Sequence, residues 1–499
     1  MLKIKTMCAW FLCLWAFSDV TAQQYDKVWA VGSYVTTMTF ESDSISLGYL
    51  EDSTNFSFVT IGNICDSNGN FLFYSNGLAV YNKYGRIMPH GDSLSFPSEY
   101  YSLQVPQGMA SNQGMVILPN PGNANQYYIF HYTGTDTLVN TGGYESTRLY
   151  YSVVDMEKDS GRGDLIKKNV PILQGIILSA GRISACRHAN GRDWWIVKPA
   201  WQENIYYTFL LTPDSVKGPF TQRIGPSYGH YNEVNTYSTF SLDGTKYASV
   251  TEESLVVLMD FDRCTGLFSN PDSFYNSNSF DPVHNPMSGG NSLAFSPNGR
   301  FLYVVNPIEL NQYDLWRSPI RDSVRIKTDS INDFQMNNLQ YGPNGKIYLS
   351  CWNGGSYAIH VINQPDSLGM ACDFQFLGQS VLSVNSVGIP YFPNFRLGAL
   401  IGSGCDTIPN GIQNLKPIDL KIEPNPASNL VTISYPPHES DGWRIDLYDN
   451  LGELILSQNE KAGADRSIID VSTFPIGLYF VRVYNNNTVM LNSKLIIAR

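Results

Sequence analysis

One phrase recurs in Ser296-Pro-Asn-Gly-Arg-Phe-Leu-Tyr-Val-Val305 and in Gly342-Pro-Asn-Gly-Lys-Ile-Tyr-Leu-Ser350: a short polar turn with glycine, followed by an apolar strand. Further copies begin at Asp66, Asn120, Asn190 and Ser241. Asn-Gly and Asp-Gly supply the positive φ angles of a tight hairpin. The aromatic and β-branched residues that follow are typical of strands.

The spacing of these turns indicates the fold. The turn glycines are Gly69, Gly122, Gly191, Gly244, Gly299 and Gly345, which lie 46 to 69 residues apart. A strand-built period near 50 residues is typical of β-propeller blades. Residues 23–405 would give seven blades of about 55 residues each. The seventh would use strands near 372–397, closed by N-terminal strands near 28–50. An array of β-sandwiches fits less well, because sandwiches lack one recurring turn-strand phrase.

The composition is that of a folded, all-β chain. Of 499 residues, 43% are hydrophobic and only 15% are charged, which excludes disorder as the main state. Tyrosine (31), phenylalanine (25) and glycine (41) are abundant, as expected for strands and turns. The formal net charge of -11 argues against a nucleic-acid partner, since such partners need a basic surface.

Residues 1–22 have the features of a secretory signal peptide. Lys3 and Lys5 precede an apolar run over residues 7–17, and Val20-Thr21-Ala22 offers small residues for cleavage. The alternative is a buried N-terminal helix. No later apolar stretch reaches about 18 residues, so the sequence predicts no transmembrane segment.

The middle region resembles secreted, WD-repeat-like propeller proteins of Bacteroidota. The resemblance rests on residues 185–199, 260–266, 295–299, 393–398 and 402–407. It implies a seven-bladed β-propeller over residues 23–405, but it names no activity and no cofactor.

Residues 406–419 read as a linker, and residues 420–499 contain several short alternating strands of a small immunoglobulin-like β-sandwich. This tail resembles the C-terminal sorting domain of the type IX (Por) secretion system. The matching positions are Pro424, Asn425, Pro426, Gly452, Gly477, Tyr479 and Lys494. The resemblance implies recognition by the type IX machinery, removal of the tail, and a passenger that is released or attached to the cell surface. The alternative is a plain sandwich domain used for adhesion.

The cysteines show no C-x-x-C spacing, so neither a zinc ribbon nor a thioredoxin motif is predicted. An exported chain folds under oxidising conditions, where cysteines pair. Six cysteines lie beyond residue 22, and we expect the pairs Cys186–Cys264 and Cys372–Cys405 out of the fifteen full pairings that six cysteines allow.

Polar residues on either side of the turn at Gly191 are the candidate ligand residues. They are Arg182, Arg187, His188 and Asp193. Arginine side chains could hold an anionic ligand, and His188 could act as a base. The structural alternative is an ion-pair network between blades with a histidine that orients a loop. The sequence contains no H-E-x-x-H, G-x-S-x-G or phosphate-loop motif, so no catalytic or metal-binding residue is predicted.

Three functions remain open from the sequence. The first is a non-enzymatic surface or secreted propeller that binds a glycan or a protein through its loops. The second is a polysaccharide hydrolase or lyase, which would need paired carboxylates at the central channel. The third is a component of the gliding or secretion surface apparatus.

Overall fold

The computed structural model describes residues 23–42, 44–52, 59–94, 108–109, 111–132, 146–179, 181–227, 236–251, 254–276, 292–307, 309–317, 323–328, 336–351, 356–385, 388–406, 421–434, 443–449, 454–461, 463–485 and 488–499. The predicted signal peptide lies outside these residues. The chain separates into two compact units, Met1–Ile408 and Pro409–Arg499.

In the described part of the first unit, seven antiparallel sheets follow one another along the chain, and we call them blades 1 to 7. The first two have three strands each. Blade 1 contains β1 (Val28–Val31), β2 (Thr36–Phe40) and β3 (Ile45–Tyr49), and blade 2 contains β4 (Gly62–Cys65), β5 (Phe71–Ser75) and β6 (Val80–Asn82).

Blades 3 to 5 have four strands each. Blade 3 contains β7 (Met115–Asn120), β8 (Asn123–Tyr132), β9 (Ser146–Asp155) and β10 (Asp164–Leu178). Blade 4 contains β11 (Ser184–Arg187), β12 (Trp194–Pro199), β13 (Ile205–Leu211) and β14 (Val216–Arg223). Blade 5 contains β15 (Tyr237–Phe240), β16 (Lys246–Val250), β17 (Leu255–Phe261) and β18 (Phe268–Tyr275).

The last two blades also have four strands. Blade 6 contains β19 (Ser292–Phe295), β20 (Phe301–Val305), β21 (Glu309–Asp314) and β22 (Ser323–Thr328). Blade 7 contains β23 (Met336–Tyr341), β24 (Ile347–Cys351), β25 (Ser356–Ile362) and β26 (Phe374–Asn385). Short 3-10 helices lie at Asp159–Gly161 and Gly369–Cys372.

The recurring phrase of the sequence is the hairpin between the first two strands of a blade. Positive φ angles occur at Gly69, Gly191, Gly244, Gly299 and Gly345. The first strands of successive blades lie side by side at β1 and β4, β4 and β7, β11 and β15, β15 and β19, and β19 and β23. Blades with short first strands packed around one axis form a propeller.

The seventh blade is built differently from the expectation. Residues 28–49 form blade 1 by themselves, while Phe374–Asn385 is the outermost strand of blade 7. The ring closes by packing between these two blades: the ring of Tyr348 lies 5.5 Å from that of Trp29 and 5.6 Å from that of Phe40. The backbone N–H of Ser33 donates to Val384 O at 2.7 Å.

The second unit is a small all-β domain of two sheets. The first sheet contains β27 (Lys421–Glu423), β28 (Leu430–Ser434) and β31 (Arg466–Asp470). The second contains β29 (Trp443–Tyr448), β30 (Leu454–Asn459), β32 (Gly477–Asn485) and β33 (Thr488–Ile497). Both sheets contribute to one apolar core, with Val431 and Ile469 from the first and Ile445 and Val481 from the second. Alternation of buried and exposed residues along these strands is what a two-layer β-structure requires.

No helix in the part of the chain that the structure describes combines the length and hydropathy needed to cross a bilayer.

Candidate functional site

The axis of the propeller is filled by the chain segment that follows blade 7, residues 388–397, which we call the plug. Tyr391 is buried, and its hydroxyl accepts from the backbone N–H of Ala185 in blade 4 at 3.3 Å. The Tyr391 ring lies against Tyr237 of blade 5. Gln340 of blade 7 bonds the backbone N–H of Phe392 (3.1 Å) and its carbonyl (3.2 Å). A segment that touches the first strands of three separate blades must lie at their common axis.

The far end of the plug ties the first residues of the propeller to the last. Phe395 is buried between the rings of Tyr25 and Trp194. The guanidinium of Arg396 donates two hydrogen bonds, of 2.8 and 2.7 Å, to the two carboxylate oxygens of Asp26. This bidentate geometry is the strongest arrangement for an arginine–carboxylate pair.

A cavity of about 190 Å3 lies beside the plug. Its walls are the ends of the first strands of blades 4 to 7, the turns that follow them in blades 5 and 7, and plug residues from Tyr391 onward. Because one water needs about 10 to 15 Å3 of such space, the cavity has room for a small ligand. Leu242, Pro343 and Asn394 are partly exposed at its border.

The chemistry of the cavity is aromatic and neutral. Phe240, Phe295 and Phe392 supply apolar rings, while Thr239 and Asn394 supply a hydroxyl and an amide. Most ligand pockets combine an apolar lining with a few placed polar groups in this way.

Of the three charged residues at the cavity, Asp26 and Arg396 pair with each other, and Arg187 is held by backbone oxygens and the Trp194 ring. Burial opposes the charge on Arg396, but the hydrogen bonds and charge of Asp26 outweigh it and raise the pKa of the guanidinium. Burial raises the pKa of the Tyr341 hydroxyl, so this cavity-lining phenol stays neutral. The site therefore suits an uncharged ligand with hydroxyl groups.

Three of the predicted ligand residues lie at the turn of blade 4 and bond within the protein. Arg187 is buried; it donates to Phe395 O at 3.0 Å, and its guanidinium lies 4.0 Å from the centre of the Trp194 ring. Burial lowers the pKa of Arg187 to about 10. Asp193 accepts from Asn190 Nδ2 (2.9 Å) and Arg192 Nε (2.7 Å) inside the same turn.

His188 orients a neighbouring loop. Its Nε2 lies 3.1 Å from Cys264 O, and its Nδ1 accepts from the backbone N–H of Asn190 at 3.0 Å. Burial lowers the pKa of His188, which favours the neutral ring that these two contacts require.

Arg182 is not part of this group. It precedes β11 and is fully buried, whereas Arg187 ends that strand. The structure therefore does not bring the four predicted rim residues together, and Arg187 is the one that lines the cavity.

The expected disulfide pairs require correction. The structure joins Cys264 to Cys405, while Cys186 and Cys372 are free and buried. The reason is the path of the chain after the plug, since residues 398–406 run back over blade 4: Leu400 N–H donates to Ala189 O at 2.8 Å. That path places Cys405 beside the turn that carries Cys264.

The predicted sorting residues converge at one end of the second unit. Asn425 Nδ2 donates to Lys494 O at 2.7 Å, and its Oδ1 accepts from Ile496 N–H at 2.8 Å. Gly477 and Tyr479 lie opposite Ile497 and Leu495 in the neighbouring strand. Pro424 and Pro426 flank Asn425, and Gly452 lies outside the described residues. The proline-rich turn is thus bonded to the last strand of the chain.

A family model for the secretion system C-terminal sorting domain matches residues 421–498. Residues 421–498 are a type IX sorting domain. This sorting domain implies export by the type IX secretion system. None of the curated proteins matches the chain.

Several solved structures are similar to the chain at low identity, and one of them is described as a β-propeller domain. A Bacteroides uniformis protein provisionally named a 6-phosphogluconolactonase is 14% identical, covering 73% of this chain and 99% of its own with a TM-score of 0.44. A periplasmic gluconolactonase of Pseudomonas aeruginosa is 13% identical over 73% and 97%, with a TM-score of 0.40. A β-propeller domain of Myceliophteria thermophila is 8% identical over 67% and 93%, also at 0.40. No activity is transferred from these proteins.

Sequence reasoning missed most of the axial site. Asp26 and Gln340 carry no motif, Arg396 lies in the stretch 393–398 that carries the resemblance, and Tyr391 and Phe392 lie in the region predicted as strands near 372–397. The available signal was an aromatic run, Tyr391-Phe-Pro-Asn-Phe395, that follows the last strand without the recurring turn. Among the described residues no group of His, Cys, Asp and Glu side chains is placed to hold a metal ion.

Proposed function

We propose that this protein is a non-enzymatic glycan-binding propeller that acts outside the cell after export by the type IX system. The observation that carries the proposal is the cavity beside the plug, with aromatic rings and neutral hydroxyl and amide groups. Three charged residues line it: Asp26 and Arg396 are joined to each other, while Arg187 donates to Phe395 O and lies against the Trp194 ring. Sugars are bound by such combinations of apolar ring contact and hydrogen bonds from neutral polar groups.

The cavity gives less support to hydrolysis. Glycoside hydrolysis requires two carboxyl groups about 5 to 9.5 Å apart. Among the described residues that line the cavity, Asp26 supplies the carboxylate, and both of its oxygens accept from Arg396. Binding therefore fits the arrangement better than bond cleavage.

We also propose the order of the chain and its destination. Residues 1–22 direct the chain across the inner membrane, residues 23–405 form the working propeller, residues 406–419 link the domains, and residues 420–499 direct passage across the outer membrane. The propeller is then released or attached at the surface. Mass measurement of the mature extracellular protein tests this order, and a product that retains residues 1–22 would contradict it.

The binding role is tested with the purified full-length chain. A panel of neutral mono- and oligosaccharides is titrated by calorimetry, and the same panel is searched for cleavage products. Saturable binding without cleavage supports the proposal. Cleavage of a glycosidic bond, or saturable binding of a protein partner with no sugar binding, would overturn it.

A further inference from the structure

We propose that the Cys264–Cys405 disulfide is a latch that keeps the plug in the axis and thereby controls access to the cavity. We call residues 398–406, which continue from the plug, the strap. The inference rests on the proposed function for one point, that the cavity holds a ligand. The latch itself is defined by contacts of the strap with blades 4 and 5.

The strap is bonded to the propeller at three places. Leu400 N–H donates to Ala189 O, the guanidinium of Arg263 donates to Gly398 O, and Cys405 is bonded to Cys264. Cys264 lies in the turn that follows β17 of blade 5, and 141 residues separate it from Cys405. The covalent bond therefore holds the end of the chain to a blade that is distant in sequence.

Arg263 connects the strap to two blades. Its Nε donates to Arg187 O at 2.9 Å, and its NH1 and NH2 reach Asp243 O at 3.4 Å and His188 O at 3.3 Å. Its neighbour Cys264 carries the disulfide. An arginine that donates to carbonyls from both blades and from the strap fixes all three, because each carbonyl would otherwise lose a hydrogen bond.

The turns of blades 4 and 5 are shaped to let the strap lie flat. At Gly191, with φ of +71°, an added Cβ would come within 2.6 Å of the backbone nitrogen of Ala399. At Gly244, with φ of +72°, it would meet Cys186 Sγ at 2.7 Å and Leu397 Cδ2 at 2.9 Å. The two turn glycines thus admit both a left-handed backbone and a close approach of the plug and strap.

Cys186 is a natural reporter of the latch. Its free thiol is buried and lines the cavity, and burial raises its pKa to about 12. Leu397, at the end of the plug and next to the strap, packs against the buried cluster that contains Cys186. If the strap lifts, this thiol becomes accessible, while Cys65 in blade 2 and Cys351 in blade 7 stay buried in their own sheets.

The test measures alkylation of each cysteine by mass spectrometry in the full chain and in Cys264→Ser/Cys405→Ser. We expect iodoacetamide to modify Cys186 at least about tenfold faster in the double variant. That factor corresponds to about 1.4 kcal/mol less local opening free energy. The rates at Cys65 and Cys351 should stay unchanged. Equal acceleration at all three thiols, or none at Cys186, would overturn the latch.

A second arm avoids any folding defect of the variant. The folded native chain is reduced with dithiothreitol, whose two thiols become its cyclic disulfide while Cys264 and Cys405 each gain a hydrogen. Both cysteines are partly exposed, so the reagent can reach the bond. After reduction we expect Cys186 to be alkylated faster than Cys65 and Cys351. A Cys186 that stays protected would overturn the proposal. This readout needs no sugar, so a failed glycan screen leaves it interpretable.

Discussion

Asp26 and Arg396 form a bidentate ion pair between positions 370 residues apart in the chain. Asp26 lies just before β1 of the first blade, and Arg396 lies near the end of the plug. The pair therefore joins the start of the propeller to its end, at a ring whose blades each come from one continuous stretch of chain. In some propellers the ring is closed by a blade built from both ends of the chain. Here the plug and this ion pair join the two ends instead.

The first prediction concerns this pair. Asp26→Ala should lower the free energy of unfolding by about 2 kcal/mol, because the Arg396 guanidinium, in a side chain that is 30% exposed, loses two charge-assisted hydrogen bonds. A double-mutant cycle with Arg396→Ala, measured by urea denaturation, gives the coupling. The matched control is Lys246–Asp260, a pair of similar length whose side chains are both 40% exposed; its coupling should stay below about 1 kcal/mol. Equal coupling in the two pairs would contradict this account.

The second prediction tests the plug. Phe395→Ala should destabilise the protein by about 3 to 5 kcal/mol, because it removes a buried ring that packs on Tyr25 and Trp194. Ile401→Ala, in the strap that follows, should change stability by less than about 0.5 kcal/mol, since Ile401 is 91% exposed. Denaturation midpoints of both variants provide the measurement. An unchanged denaturation midpoint in Phe395→Ala would mean that the plug does not lie in the axis.

The third prediction concerns pH. Burial lowers the pKa of His131 to about 3, against 6.5 for a free histidine. Below pH 6.5 the unfolded chain binds a proton that the folded chain does not, so stability is full above pH 6.5 and declines as the pH falls toward 3. The slope from this group is at most about 1.4 kcal/mol per pH unit.

The corresponding variant is His131→Gln, which should flatten the loss of stability between pH 6.5 and 4 in chemical denaturation. His90→Gln is the control, because its side chain is 72% exposed. An unchanged slope in His131→Gln would show that burial of this ring does not govern the acid response.

The fourth prediction addresses export. Asn425→Ala removes the two hydrogen bonds that the Asn425 side chain makes with the last strand. We expect the full chain to accumulate inside the cell while the extracellular amount falls several-fold, as quantified by immunoblotting of both fractions. Asn429→Ala, an exposed asparagine near the same turn, is the control. Normal secretion of Asn425→Ala would show that sorting does not depend on this contact.

The blades could be predicted from the sequence because their information is local. A turn such as Ser296-Pro-Asn-Gly299 sets its own backbone geometry, and the strand that follows needs only alternating side chains. The same holds for the sorting domain, whose turn and final strand carry recognisable residues. The prediction for the seventh blade was wrong because blade 1 carries no copy of the recurring phrase, although its three strands form a sheet of their own.

The axial site could not be predicted, because distant contacts set it. The position of Tyr391 depends on Ala185 and Tyr237, which lie more than a hundred residues earlier in the chain. The predicted disulfide pairs were wrong for the same reason, because cysteine spacing in the sequence does not show that the strap brings Cys405 to Cys264. Periodicity describes strands, but it does not describe a segment held by contacts with several blades.

The most direct test of glycan binding at the cavity is a substitution that fills the cavity. Thr239 lines it and is partly exposed, so Thr239→Trp should occupy the space of the ligand; Thr221→Trp, on the exposed outer strand of blade 4, is the matched control. Calorimetry with the sugar that binds the native chain should show at least about a tenfold loss of affinity, equal to about 1.4 kcal/mol, for Thr239→Trp and no change for Thr221→Trp. Equal affinity in both variants, with folding intact, would contradict the claim that the ligand occupies the cavity beside the plug.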